Sequence, residues 1–99
     1  MAPRQDLHNI LKEFTDNVYF QPPENVKLVY PCIIYNRDDV EAKYADNEPY
    51  DLVKKYQVTV IDRDPDSSIP DQIAKLRMSS FSRFYTADGL NHDVYQVFF

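Results

Sequence analysis

The chain has 99 residues, with 16 acidic and 11 basic side chains and a formal net charge of -5. Its 43% hydrophobic and 14% aromatic content favours one folded domain over disorder, and the length is too short for two cores. A single glycine excludes the glycine-cradled phosphate loops of nucleotide-binding folds, and the negative balance is the wrong sign for gripping nucleic acid through its phosphates.

Residues 3–14 place Leu7, Ile10, Leu11 and Phe14 at i, i+3, i+4 and i+7, which predicts an amphipathic helix with one apolar stripe. Asp16 and Asn17 end it. Val18, Tyr19 and Phe20 predict a short strand, stopped at Gln21-Pro22-Pro23 because proline cannot donate to a ladder. Residues 24–30 read as a connection. Residues 31–36 predict a second strand, apolar on both faces at Cys32, Ile33, Ile34 and Tyr35, and therefore inside the sheet. The pattern then turns acidic through residue 45, and Asp46-Asn47-Glu48-Pro49 has turn chemistry. This predicts a long hairpin whose far half projects from the core; a loop ordered only against a partner is the alternative.

From residue 50 to 62 the chain alternates. Tyr50, Leu52, Tyr56, Val58 and Val60 fall on one side, with Asp51, Lys55, Gln57, Thr59 and Arg63 mostly on the other. A half-buried strand with one wet face is expected. Beyond Asp62 the period becomes helical at Ile69, Ile73 and Leu76, and Ser68-Ile69-Pro70-Asp71 predicts a capping box with proline in the first turn. Residues 78–86 alternate Phe81, Arg83 and Tyr85 against Ser80, Ser82 and Phe84. Asp88-Gly89 is a hairpin signal, and residues 92–99 return as a strand rich in Val, Tyr and Phe. The expected fold is α+β, a mainly antiparallel sheet of four to five strands with two helices packed on one face, forming a single domain over residues 1–99.

Asp62, Asp64 and Asp66 have the spacing of a calcium loop, but that loop needs glycine at 67 and glutamate at 73, where this chain has Ser67 and Ile73. No metal site is expected. His8 and His92 lack partner motifs and read as structural. Cys32, alone in the apolar run PCIIY, reads as a core residue; it excludes a disulfide within the chain and points to a reducing compartment. No nucleophile motif, zinc spacing or acid/base set is present, so neither enzymatic activity nor a cofactor is expected. No apolar run approaches membrane-spanning length, and there is no secretory hydrophobic region.

The acidic projection carries Asp38, Asp39, Glu41, Asp46, Glu48 and Asp51, with Val40, Tyr44 and Tyr50 interleaved. The plain reading is a solvated loop; the sharper one is an interaction surface, since tyrosine offers a large apolar area with a polar tip. The candidate contact residues are Asp38, Asp39, Glu41, Tyr44, Asp46, Glu48, Tyr50, Phe98 and Phe99.

Taken together, the opening helix LHNILKEF, the stretch VYFQPPENVKLVYPCIIYNRDDVEAKYADNEPY, the strand-turn-helix YQVTVIDRDPDSSIPDQIAKL and the closing FYTADGLNHDVYQVFF resemble, over nearly the full length, the tail-terminator or tail-completion proteins of siphophages. The resemblance implies a structural virion protein, assembled in the host cytoplasm, that forms a homo-oligomeric ring, typically hexameric, on the head-proximal end of the tail tube. Such a ring stops tube polymerisation and meets a neck or head-closure protein. An acidic lumen would repel the DNA backbone, so that the genome passes without specific binding. Two alternatives are another head-tail joining protein and, from a different class, an acidic DNA mimic that inhibits a nucleic-acid enzyme. Against the mimic, Lys54, Lys55, Lys75, Arg77 and Arg83 interrupt the acidic field.

Overall fold

A computed structural model describes the backbone of residues 4–45, 48–77 and 79–99, and the side chains of these residues outside 39–45 and 48–53. The elements run α1 (Arg4–Lys12), β1 (Val18–Phe20), β2 (Cys32–Ala45), β3 (Glu48–Asp62), α2 (Ile69–Ala74), β4 (Ser79–Ala87) and β5 (Leu90–Phe98). The strands form one five-stranded sheet in the order β1-β2-β3-β5-β4, antiparallel except where β1 runs parallel to β2. This is the expected α+β architecture, and β2 occupies the interior position that its two apolar faces demand.

The middle of β3 supplies the floor of the core. Tyr56, Val58 and Val60 alternate onto one face, where register sets Val58 between Tyr35 and Tyr95, and Val60 opposite Ile33. Leu7 and Leu11 of α1 and Ile69 and Ile73 of α2 join these residues in one buried cluster, so both helices cover the same side of the sheet. Each such apolar side chain taken out of water contributes about 1.5–3 kcal/mol. The other side is not bare: Cys32, Ile61 and Val94 are buried there, while Gln57 and Thr59 are half-buried. The wet face expected for β3 is therefore only partly wet.

Local contacts explain how the short elements are held. Gln21 ends β1 at a φ of 44°, donates its backbone N–H to the Tyr35 carbonyl (3.0 Å) and accepts from the Arg37 N–H through Oε1 (3.2 Å). Thr15 and Asn17, just past α1, donate to the Pro31 carbonyl, and Ile33 donates to the Asn17 carbonyl at 2.8 Å. The stop after α1 is thus tied to the start of β2. Asp88 and Gly89, with φ of 54° and 74°, make the β4–β5 turn, a conformation that glycine adopts without a Cβ penalty.

Two local expectations are corrected. Ser68 precedes α2, but its backbone is helical and its side chain makes no cap; instead Ser67 Oγ accepts from the Ile69 N–H (3.3 Å), and Ser68 Oγ accepts from Gln72 Nε2 (3.3 Å). The capping box fails because the preceding turn delivers Ser67, not Ser68, to the open N–H groups. In β4 the simple alternation breaks at a bulge. Register pairs Phe81 with Tyr95 and Arg83 with Val94, leaving Ser82 as the extra residue. Phe81 and Phe84 consequently share the helix side, and Arg83 and Tyr85 share the other.

The core assignment predicts a sharp contrast in stability. Ile73→Ala, at a fully buried site, should lower unfolding free energy by about 2–5 kcal/mol. Phe84→Ser, at an exposed site, should stay within about 0.5 kcal/mol. Chemical denaturation of the two variants checks both values.

Candidate interaction surfaces

The hairpin of β2 and β3 outgrows the body of the domain. β5 pairs with β3 only from Lys55 to Asp62, and β1 pairs with β2 only at Ile33, Ile34 and Tyr35. Among the described residues, β3 from 48 to 54 therefore has β2 as its one strand neighbour. The result is a two-stranded arm, in agreement with the expected projection. Fourteen residues of β2 span about 46 Å at the usual strand rise, which accounts for most of the 51 Å long axis of the molecule.

The arm contains most of the contact residues expected from sequence. Asp38 is the extra residue at a bulge where β2 pairs Arg37 with Tyr56 and Asp39 with Lys55; its Oδ2 lies 3.6 Å from Lys55 Nζ. Tyr50 is the extra residue of a second irregularity, between the pairs Lys43–Asp51 and Tyr44–Pro49. Asp39 and Asp51 thus stand opposite lysines in register. Glu41 stands opposite Val53 and Glu48 opposite Ala45. Asp46 lies outside the described residues. Phe98 pairs with Lys55, while Phe99 donates its N–H to the Lys54 carbonyl (2.8 Å) and packs on the core. The two C-terminal phenylalanines sit at the arm's base rather than along it.

A second surface was not singled out in the sequence. Among the described residues, three of the four large hydrophobic side chains that stand exposed are on β4: Phe81 (58%), Phe84 (52%) and Tyr85 (40%). β4 is an edge strand, and every residue in it after Ser79 is exposed. Tyr85 stacks on His92 at 4.6 Å between centroids, Phe81 meets Tyr95 edge-on at 5.5 Å, and the Arg83 guanidinium lies 5.5 Å from the Tyr85 ring. A signal was present: Lys75, Arg77 and Arg83 occur with no acidic residue between 75 and 87, in a chain of net charge -5. The edge itself was not legible, because strand order is a tertiary property.

Other polar and apolar features have local explanations. The expected turn at Asp62, Asp64 and Asp66 spends its carboxylates on its own backbone: Asp62 Oδ1 accepts from the Asp64 N–H (3.0 Å), and Asp64 Oδ1 from the Asp66 N–H (2.9 Å). No group of three or more metal-ligating side chains gathers among the described residues. None of the described helices is long and apolar enough to cross a membrane. A shallow apolar crevice of about 200 Å³ lies between Leu7 and Ile10 of α1, Leu76 and Arg77 after α2, and Val97 and Phe99.

Beneath α1, the Tyr35 hydroxyl accepts from Arg4 Nη1 (2.8 Å) and lies 2.7 Å from His8 Nδ1. Burial and the charges of Arg4 and Lys12 hold His8 below its ordinary pKa, which favours the neutral imidazole beside the Tyr35 hydroxyl. Cys32 is fully buried, and burial, aided by the Asp62 charge, pushes its thiol up to about 11. It is a protonated core residue at neutral pH.

No family model, curated protein or solved structure matches this chain.

Two measurements follow from these environments. The folded state resists His8 protonation, so the unfolded chain binds the extra proton first. Stability is at its full value above the ordinary histidine pKa and falls as pH drops through the depressed one. Melting temperature should decline between about pH 7 and pH 5, and His8→Gln should flatten that decline. Cys32 should resist alkylation in the native protein at pH 7.5 and react at once in denaturant; rapid native labelling would contradict its burial.

Proposed function

We propose that this chain is a structural phage protein of the tail-terminator kind, forming a ring on the head-proximal end of the tail tube. There it ends tube polymerisation and joins the tail to a neck or head-closure protein. The observation that carries the reading is the presence of two unlike surfaces on one small body: a projecting two-stranded arm and an exposed aromatic strand edge. A closed head-to-tail ring needs two different, mutually complementary patches on each subunit, whereas a two-fold dimer needs one self-complementary patch. The order of elements, helix, short strand, long hairpin, helix and hairpin, is the one read from the sequence.

The negative net charge suits a ring around a DNA conduit, because like charge keeps the phosphate backbone from adhering to the wall. The DNA-mimic alternative is less well supported. A mimic needs carboxylates spread over much of its surface, and the run from Lys75 to Ala87 carries only positive charge.

Electron microscopy of virions from the encoding phage should place this subunit as a ring between tail tube and capsid. Deleting its gene should give tails that are overlong or unattached to heads. Normal virions from the deletion would overturn the reading.

A further inference from the structure

We propose that the outer edge of β4 receives the β2–β3 arm of a second copy of this chain by strand addition. The inference supplies the subunit contact for the ring reading above and in that sense rests on it. β5 occupies one side of β4, and among the described residues no strand occupies the other. An edge of this kind presents a row of open N–H and C=O groups and is ordinarily blunted by charge, by proline or by a covering segment. β4 has one charged residue, Arg83, and no proline. Its bulge at Ser82 interrupts the ladder once and leaves residues 83–87 regular. Phe81 and Phe84 on one side and Tyr85 on the other flank the edge with exposed apolar area.

Charge selects the occupant. The edge and its approach carry Lys75, Arg77 and Arg83 with no acid among them. The strands of the arm carry Asp39, Glu41, Glu48 and Asp51 against Lys43 and Lys54, a net negative charge; Glu41 and Glu48 face no base in register. Two β4 strands paired antiparallel about their centre would set Arg83 against Arg83, and two arms would bring their acids together. Of these three pairings, only arm on edge sets a segment of net negative charge against one of net positive charge. The lengths also agree: residues 48–54 of the arm extend about 23 Å, and the nine residues of β4 about 30 Å. Each copy then uses its edge for one neighbour and its arm for the other, which builds a ring or an open chain and not a two-fold dimer.

A charge-exchange experiment tests the contact. One variant is Arg83→Glu, and the other is Glu41→Lys combined with Glu48→Lys. Sedimentation velocity of the full chain, at low and high salt and over a range of concentrations, reads the association. The wild type should associate beyond the dimer at low salt and dissociate at high salt. Each variant alone should associate about tenfold more weakly or not at all, since residue 83 of its edge and residues 41 and 48 of its arm then carry the same sign. An equimolar mixture should restore assembly, because each edge in the mixture finds an arm of opposite sign on the other variant. Circular dichroism establishes that both variants fold. A wild type that stays monomeric, variants that associate as the wild type does, a mixture no better than its components, or a limiting dimer would each overturn the proposal. Any of these would leave the tail-length experiment to decide the ring reading on its own.

Discussion

The row Tyr56, Val58 and Val60 in the middle of β3 is the constraint on which the other elements depend. These three side chains are fully buried, and they point at both helices while their strand is hydrogen-bonded on both flanks. Removing β3 from this place would strip β2 and β5 of their shared neighbour and leave α1 and α2 with no common floor. Because the pairing on the β5 side stops at Lys55, the same strand also fixes where the body ends and the arm begins. Core and projection are two parts of one continuous strand.

The polar contacts around this core are economical in kind. Tyr35 is buried beside Phe20 and Tyr56, and its hydroxyl is reconciled with burial by Arg4 and His8 of α1. A buried hydroxyl without partners is costly, so these two bonds also fix the rotation of α1 over the sheet. Arg4 does more than donate, since its guanidinium also lies 4.3 Å from the Phe20 ring centroid. Depression of the His8 pKa is a by-product of this arrangement: partial burial and two nearby cations favour the neutral imidazole.

The two unlike surfaces owe their character to the same topology. Placing β5 between β3 and β4 makes β4 the outer strand, and Phe81 and Phe84 on its helix side remain exposed. Extending β2 and β3 past the other strands gives the arm. The crevice under α1 is lined mainly by apolar side chains. Contact with another polypeptide is the use to which an open strand edge and a protruding ribbon are physically suited.

Periodicity alone determined a good deal of this protein. The apolar spacing of Leu7, Ile10, Leu11 and Phe14 located α1, the alternation through Tyr56, Val58 and Val60 located the buried face of β3, and the apolar Cys32–Tyr35 run located an interior strand. Each of these patterns reports a local preference for one buried face, which a linear sequence records directly. The projecting acidic hairpin was legible for the same reason, since its charges could not be buried. Tertiary structure decided the rest. Which strand lies at the edge, that Ser82 is an extra residue in the β4 ladder, and that Ser67 rather than Ser68 meets the start of α2 all depend on register and on neighbours distant in sequence. The aromatic side chains of β4 look like core residues when read in line, and only the strand order places them at an open edge.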